Sequence, residues 1–68
     1  MKTIDTRGLS CPQPVIMVTR EIMAGEKNFE VLVDSEASFE NVTRLLESKG
    51  YKFTVAEKDD HKAIKAEK

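Results

Sequence analysis

Apolar residues recur at every second position in several short segments of the chain, which is the spacing of strands with one buried face. In the clearest segment, Phe29, Val31 and Val33 form the apolar set. In the last segment, Ile64 is the residue expected to point inward. The pattern predicts four strands, at Lys2–Asp5 and at residues 29–33, 52–55 and 62–66.

Two longer segments have apolar residues at helical spacing, about 100° per residue. The first covers residues 12–24, and Gly25 suits the left-handed position that ends a helix. The residues predicted to form its apolar face are Val15, Ile16, Val18, Ile22 and Met23. Met17 falls on the opposite side, so we expect it to be exposed.

The second predicted helix begins near Ser38, a favourable N-cap residue type, and ends at residue 49 before Gly50. The residues of its apolar stripe are Phe39, Val42, Leu45 and Leu46. Residues 34–36 are predicted to form the turn before this helix, and residues 59–61 the turn between the last two strands.

These elements follow one another in the order β-α-β-α-β-β. Each helix is amphipathic and each strand has one apolar face, so two packed layers bury all the apolar surface most economically. We therefore predict an α+β fold, a two-layer α/β sandwich in which two helices cover one face of a four-stranded sheet and the other face meets water. The hydrophobic pattern does not determine the order of the strands in the sheet. A chain of 68 residues is predicted to form a single domain, residues 1–68.

Composition narrows the classes of function. Hydrophobic residues make up 40% of the chain and charged residues 34%, as in a globular protein, and the longest apolar run is far too short for a membrane span. The single cysteine and the lack of a signal-peptide pattern predict a cytoplasmic location. Lys and Arg total 11 against 12 Asp and Glu, so nonspecific nucleic-acid binding is not expected.

Lysine is nevertheless concentrated in the C-terminal third of the chain, interleaved with acidic residues. The first interpretation is a solvated surface. The second is a docking patch for an acidic partner, and the third is an RNA-binding surface. The balanced net charge and the few aromatic residues make the RNA-binding interpretation the weakest.

The chemistry of the chain centres on Cys11, its only cysteine, which lies where a predicted loop leads into the first helix. A lone cysteine in a small domain is often a buried apolar residue. Here the flanking Gly8, Ser10, Pro12 and Pro14 place it outside the apolar periodicity. We therefore expect an exposed, functional thiol. The positive end of the helix dipole favours its thiolate form.

The two prolines after Cys11 are expected to orient the sulfur. Pro12 is predicted at the first helical position, where its missing N–H costs nothing and its φ angle suits a helix. Pro14 lies in the same turn. Together they stiffen the turn, but they also remove two N–H groups that could have stabilised a thiolate.

The remaining residues exclude several kinds of thiol chemistry. There is no second cysteine for a dithiol motif, and His61, the only histidine, lies in a predicted turn, where it serves neither as a placed base nor as part of a metal site. The thiol is therefore expected to act by exchange with partner molecules, without metal or cofactor. A carrier that accepts sulfur as a persulfide fits this constraint. The alternative is a noncatalytic binding or regulatory module that uses the turn as a docking surface.

Residues 5–14, with the pattern Asp-x-Arg-Gly-Leu-x-Cys-Pro-x-Pro, resemble the signature of the TusA/SirA-like sulfur-carrier proteins. Val33, Asp34 and Ala37 are similar to the strand-to-helix turn of that family, and Gly50 to the glycine that closes its second helix. The resemblance covers nearly the whole chain and is greatest to the YedF-like branch. Some members of that branch carry a second domain, so both a stand-alone protein and a fragment fit the sequence.

The resemblance implies a mixed sheet and a persulfide on Cys11. Members of the family relay sulfur from a cysteine desulfurase toward tRNA thiolation, or serve molybdenum-cofactor or sulfur-oxidation pathways. It therefore implies a sulfurtransferase-like carrier with transient protein partners, namely a desulfurase or other sulfur donor and a downstream acceptor.

The other residues of the signature have supporting roles. In the first interpretation Asp5 and Arg7 pair with each other. In the second, Arg7 holds an incoming anionic sulfur species. Gly8 is expected to supply a backbone angle that other residues resist. Leu9 is expected to pack beneath the helix or to contact a partner, and the predicted exposure of Met17 makes it a second candidate contact.

Overall fold

The computed structural model describes residues 2–9 and 12–68 of the chain. In these residues the elements are β1 (Lys2–Asp5), α1 (Gln13–Met23), β2 (Asn28–Val33), α2 (Glu36–Ser48), β3 (Lys52–Glu57) and β4 (Lys62–Glu67). The predicted order β-α-β-α-β-β and the α+β sandwich are confirmed. No helix in this part of the chain is long and apolar enough to cross a membrane.

The strand order, which the hydrophobic pattern left open, is β1-β2-β4-β3. β1 and β2 are parallel, while β4 runs antiparallel to both of its neighbours. The two crossovers, β1-α1-β2 and β2-α2-β3, therefore progress in the same direction across the sheet. Because such crossovers are right-handed, both helices lie on the same face.

The core lies between this face and the helices. The strand register places Phe29 opposite Ala66 and Val31 opposite Ile64, and all four residues are buried. The buried residues that complete this cluster are Ile4, Val18, Val33, Val42, Leu46 and Tyr51. On the opposite face Glu30 lies between Thr3 and Lys65, and Lys65 is followed by Thr54. This row is polar, as expected of a surface that meets water, while the next row of the same face consists of Leu32, Ala63 and Ala56.

Both helices end in the same hydrogen-bonded arrangement around a glycine. After α1, Gly25 has φ +87°, and the amide of Glu26 donates to the carbonyl of Glu21 at 3.1 Å. After α2, Gly50 has φ +82°, and the amide of Tyr51 donates to the carbonyl of Leu46 at 2.9 Å. This is the Schellman motif, in which a left-handed residue lets the chain turn back and satisfy the last carbonyls of the helix.

The predicted apolar face of α1 is confirmed at Val18, which is buried, and at Ile22, which packs against the core. It is wrong at three other positions. Met17 is half-buried and packs against the core, whereas Ile16 is 38% exposed and Met23 is 82% exposed. The reason is that Pro14 is fully buried, and the buried stripe runs from it through Val18, one turn further on. The predicted face was placed from the aliphatic residues and methionines alone. Without Pro14, its centre falls to one side of the face that is buried in the structure.

The predicted N-cap of α2 is also wrong. Ser35, not Ser38, caps this helix: its Oγ accepts a 3.1 Å hydrogen bond from the amide of Ser38. Ser38 lies in the first turn and is buried. The helix thus begins three residues earlier than expected, because a serine at either position suits a cap and only the packing of Ser38 decides between them.

Candidate functional site

A tight turn over residues 6–9 leads from β1 toward Cys11. The amide of Leu9 donates a 3.2 Å hydrogen bond to the carbonyl of Thr6, and Gly8 has φ +79°. Among the described residues only glycines have positive φ, so Arg7 and Gly8 have the φ signs of a type II turn. The prediction that Gly8 supplies a left-handed backbone angle is confirmed.

The turn is tied to the end of β2 by Thr6. This residue is 1% exposed, and its amide donates a 3.0 Å hydrogen bond to the carbonyl of Leu32. Its hydroxyl donates to the same carbonyl at 2.5 Å. Sequence reasoning missed Thr6, whose position between Asp5 and Arg7 offers no signal of burial.

Asp5 and Arg7 pair with each other across the start of the turn. The guanidinium of Arg7 donates to both carboxylate oxygens of Asp5, at 3.0 and 2.9 Å, and the Arg7 amide donates to one of them at 3.1 Å. The side-chain hydrogen bonds from Arg7 lower the pKa of Asp5 from 3.8 to about 2, and the same contact raises the pKa of Arg7. This geometry supports the pairing interpretation over an Arg7 left free for an anion.

On the other side of Cys11, the start of α1 contains both prolines. Pro12 is the N-cap residue and Gln13 the first helical residue, so the placement of Pro12 at the first helical position is wrong by one residue. The first hydrogen bond of the helix joins the Ile16 amide to the Pro12 carbonyl at 3.1 Å. Because Pro12 and Pro14 have no N–H, Gln13 and Val15 carry the N–H groups of this turn. No side chain of the described residues caps it.

Cys11 and Ser10 lie outside the described residues. In the sequence, Leu9 comes two residues before Cys11 and Pro12 follows it directly. The segment that carries the thiol is therefore connected to the hydrogen-bonded turn on one side and to the start of α1 on the other.

The apolar residues near this segment in sequence differ in accessibility. Leu9 is 39% exposed and Ile16, one turn into α1, is 38% exposed. Met17 is half-buried against the core, so exposure no longer supports it as a contact residue. Ile16 takes its place, a residue that sequence reasoning assigned to the core because it took the wrong face of α1 as buried.

His61 lines a groove at the ends of β2 and β3 and is only partly exposed to solvent. Its side chain is 15% exposed, and its Nδ1 lies 2.6 Å from a carboxylate oxygen of Asp60. This hydrogen bond lowers the pKa of Asp60. The groove, of about 270 Å³, is also lined by Asp34 and by residues 57–59. Within residues 2–9 and 12–68 no cluster of His, Cys, Asp and Glu side chains is arranged to hold a metal ion.

Comparison with known proteins settles the family. A sequence model described as sulfurtransferase TusA matches residues 2–67, nearly the whole chain. The chain belongs to the TusA family. The crystal structure of a SirA-like protein from Desulfitobacterium hafniense is similar, with 34% identity and a TM-score of 0.88 over 98% of this chain and 96% of that one. No curated protein matches the sequence significantly.

In this TusA-family chain Pro12 also borders an open groove between the two helices. Pro12 and Val15 of the α1 end face a row of α2 residues across it, namely Asn41, Arg44, Leu45 and Ser48. The accessible surface of this groove is mainly apolar, and it lies beside the signature.

Proposed function

We propose that this protein is a sulfur carrier that accepts sulfur as a persulfide on Cys11 and relays it to a partner protein. The observation that carries the proposal is the match to the TusA sulfurtransferase family over residues 2–67, a span that includes Cys11. The similarity to a SirA-like structure over almost the full length of both chains supports a sulfur-carrier role. Two further statements stay predictions: that the chain belongs to the YedF-like branch and that the protein is located in the cytoplasm.

The proposed transfer is a thiol–persulfide exchange. The Cys11 thiolate attacks the outer sulfur of a persulfide on a donor protein such as a cysteine desulfurase. A bond forms between the Cys11 Sγ and that sulfur, the sulfur–sulfur bond of the donor breaks, and the donor cysteine leaves as a thiolate. The proton of the donor persulfide stays with the transferred sulfur, and no external oxidant or reductant is needed. Delivery to an acceptor thiolate repeats the same exchange.

The residues around Cys11 have supporting roles in this proposal. The Asp5–Arg7 pair and the left-handed Gly8 shape the turn before the thiol, while Pro12 and Pro14 set the start of the helix after it. Leu9 and Ile16 are the exposed large hydrophobic residues nearest in sequence to Cys11 among the described residues, so they are the proposed contacts for protein partners.

The test is the mass of the intact protein after incubation with a cysteine desulfurase and cysteine. We expect the wild type to gain the mass of one sulfur atom and to lose it on treatment with a reductant. Cys11→Ser should gain none, and its thermal unfolding shows whether it is folded. A wild type that stays unmodified while an authentic carrier is loaded in parallel would contradict the proposal.

The same variant separates the alternative function. If the Cys-Pro-x-Pro turn serves only as a docking surface, Cys11→Ser keeps its partner binding and its activity in cells. If the protein is a carrier, the variant still binds the desulfurase but blocks delivery of sulfur to the acceptor.

A further inference from the structure

Asp34, at the end of β2, is hydrogen-bonded to the turn over residues 6–9 that precedes Cys11. It is the first residue after β2, and its Oδ2 accepts a 2.7 Å hydrogen bond from the amide of Gly8, 26 residues earlier in the chain. The bond is short, and a backbone N–H bound to a carboxylate oxygen belongs to the stronger class of hydrogen bonds.

This contact holds the turn where packing does not. A Cβ atom added at Gly8 would meet no atom of the described residues within 4 Å, so the side of Gly8 on which a side chain would lie is open. The buried Thr6 ties the base of the turn to β2 through the carbonyl of Leu32. Asp34 ties its far corner, the left-handed residue itself.

The position of Asp34 suits a role outside the core. The side chain is exposed and the hydrogen bond to Gly8 lies at the surface, whereas the register of β2 with its neighbours is maintained by its backbone and by buried residues. Loss of this carboxylate should therefore loosen the turn without unfolding the domain.

We propose that Asp34 is a positioning residue for sulfur transfer: by holding the Gly8 amide, its carboxylate orients the turn from which the Cys11 segment departs. The inference rests on the proposed carrier function. Transfer between two proteins requires the attacking and leaving sulfurs to be aligned, and a misplacement of about 1 Å can cost a rate factor on the order of 100. A small thiol reagent that approaches from any side has no such requirement.

A competing role for Asp34 is electrostatic. The guanidinium of Arg7 is paired with Asp5 and also feels the charges of Asp60 and Asp34. The carboxylate could act through this charge rather than through Gly8. Asp34→Asn separates the two roles, because asparagine keeps an acceptor oxygen for the Gly8 amide but removes the charge.

The experiment compares wild type, Asp34→Ala, Asp34→Asn and the control Asp59→Ala. Asp59 lines the same groove as Asp34, and its replacement by alanine removes the same charge. In the described part of the chain no hydrogen bond joins Asp59 to the turn over residues 6–9. Three quantities are measured: the rate of sulfur transfer from a persulfide-bearing desulfurase, the rate of Cys11 alkylation by iodoacetamide, and the NMR signal and hydrogen exchange of the Gly8 amide.

Asp34→Ala is expected to shift the Gly8 amide signal, speed its exchange and slow sulfur transfer about tenfold, while alkylation changes less than about twofold. Asp34→Asn and Asp59→Ala should transfer sulfur at rates close to that of the wild type. Slow transfer with an unchanged Gly8 signal would make Asp34 a partner contact and overturn the inference, as would Asp34→Asn as slow as Asp34→Ala.

The failure of the proposed function has a different signature. A wild type that takes up no sulfur would overturn the carrier function and the positioning role with it. A wild type that is loaded normally, together with an Asp34→Ala that is loaded equally fast, would overturn the positioning role alone.

Discussion

The hydroxyl of Tyr51 donates a 2.6 Å hydrogen bond to the backbone carbonyl of Glu26, so the turn that follows α2 is joined to the turn that follows α1. The Tyr51 ring also packs against Phe29 of the central strand β2, with the ring centroids 5.5 Å apart. One nearly buried side chain thus connects the ends of both helices to the core.

Tyr51→Phe is expected to lower the free energy of unfolding by about 1–2 kcal/mol, because it keeps the ring contact but leaves the Glu26 carbonyl without its partner. Urea denaturation measures the change. Ser48→Ala is the control, since it removes an exposed hydroxyl bonded to the Leu45 carbonyl and should cost less than about 0.5 kcal/mol. Equal stability of Tyr51→Phe and wild type would show that water replaces the hydroxyl.

The two methionines of α1 offer a matched test of its orientation. Met17→Ala is expected to cost about 1–2 kcal/mol, less than the loss of a fully buried methionine because the side chain is half-buried. Met23, at 82% exposure, should tolerate the same change within about 0.5 kcal/mol. Urea unfolding of both variants gives the comparison, and a larger loss at Met23 would restore the orientation that the apolar spacing predicts.

The elements themselves were predictable because their signals are local. The alternation of Phe29, Val31 and Val33 and the terminal glycines Gly25 and Gly50 each lie within a few residues of the feature that they specify. The orientation of α1 could not be predicted in the same way, because it depends on the burial of Pro14, and proline is usually exposed.

The strand order and the support of the site depend on contacts between distant residues. β4 inserts between β2 and β3, which no spacing in the sequence encodes. The bonds of Thr6 to Leu32 and of Gly8 to Asp34 each span 26 residues. The signature around Cys11 indicated the chemistry from sequence, but the residues that hold its turn become evident only when β1 lies beside β2.

The cap of α2 gives a test at a position that sequence reasoning placed wrongly. Ser35→Ala removes the acceptor of the Ser38 amide and should cost about 1 kcal/mol, whereas Ser35→Asp keeps a capping oxygen and should retain most of the stability. Thermal or urea unfolding measures both. If Ser35→Ala and Ser35→Asp were equally unstable, the role of Ser35 would lie in its second hydrogen bond, from its hydroxyl to the Ser38 hydroxyl.

The Asp5–Arg7 pair predicts a specific dependence of stability on pH. The pKa of Asp5 in the folded protein, about 2, is below its ordinary value of 3.8, because the ionised carboxylate accepts hydrogen bonds from Arg7. The folded state therefore binds fewer protons than the unfolded state between these values. The resulting stabilisation is complete above the ordinary pKa and is lost as the pH falls from about 3.8 toward 2.

Asp5→Asn is expected to remove this part of the acid-induced loss of stability, so that its unfolding free energy falls less steeply than that of the wild type as the pH is lowered through this range. Arg7→Gln should flatten the profile in nearly the same way, because the Arg7 side chain is the main cause of the lowered Asp5 pKa. The double variant should add little further. Urea midpoints measured at intervals below pH 5 give the profiles. An Arg7→Gln profile as steep as that of the wild type would contradict the pairing, because the Asp5 carboxylate would then owe its lowered pKa to another group.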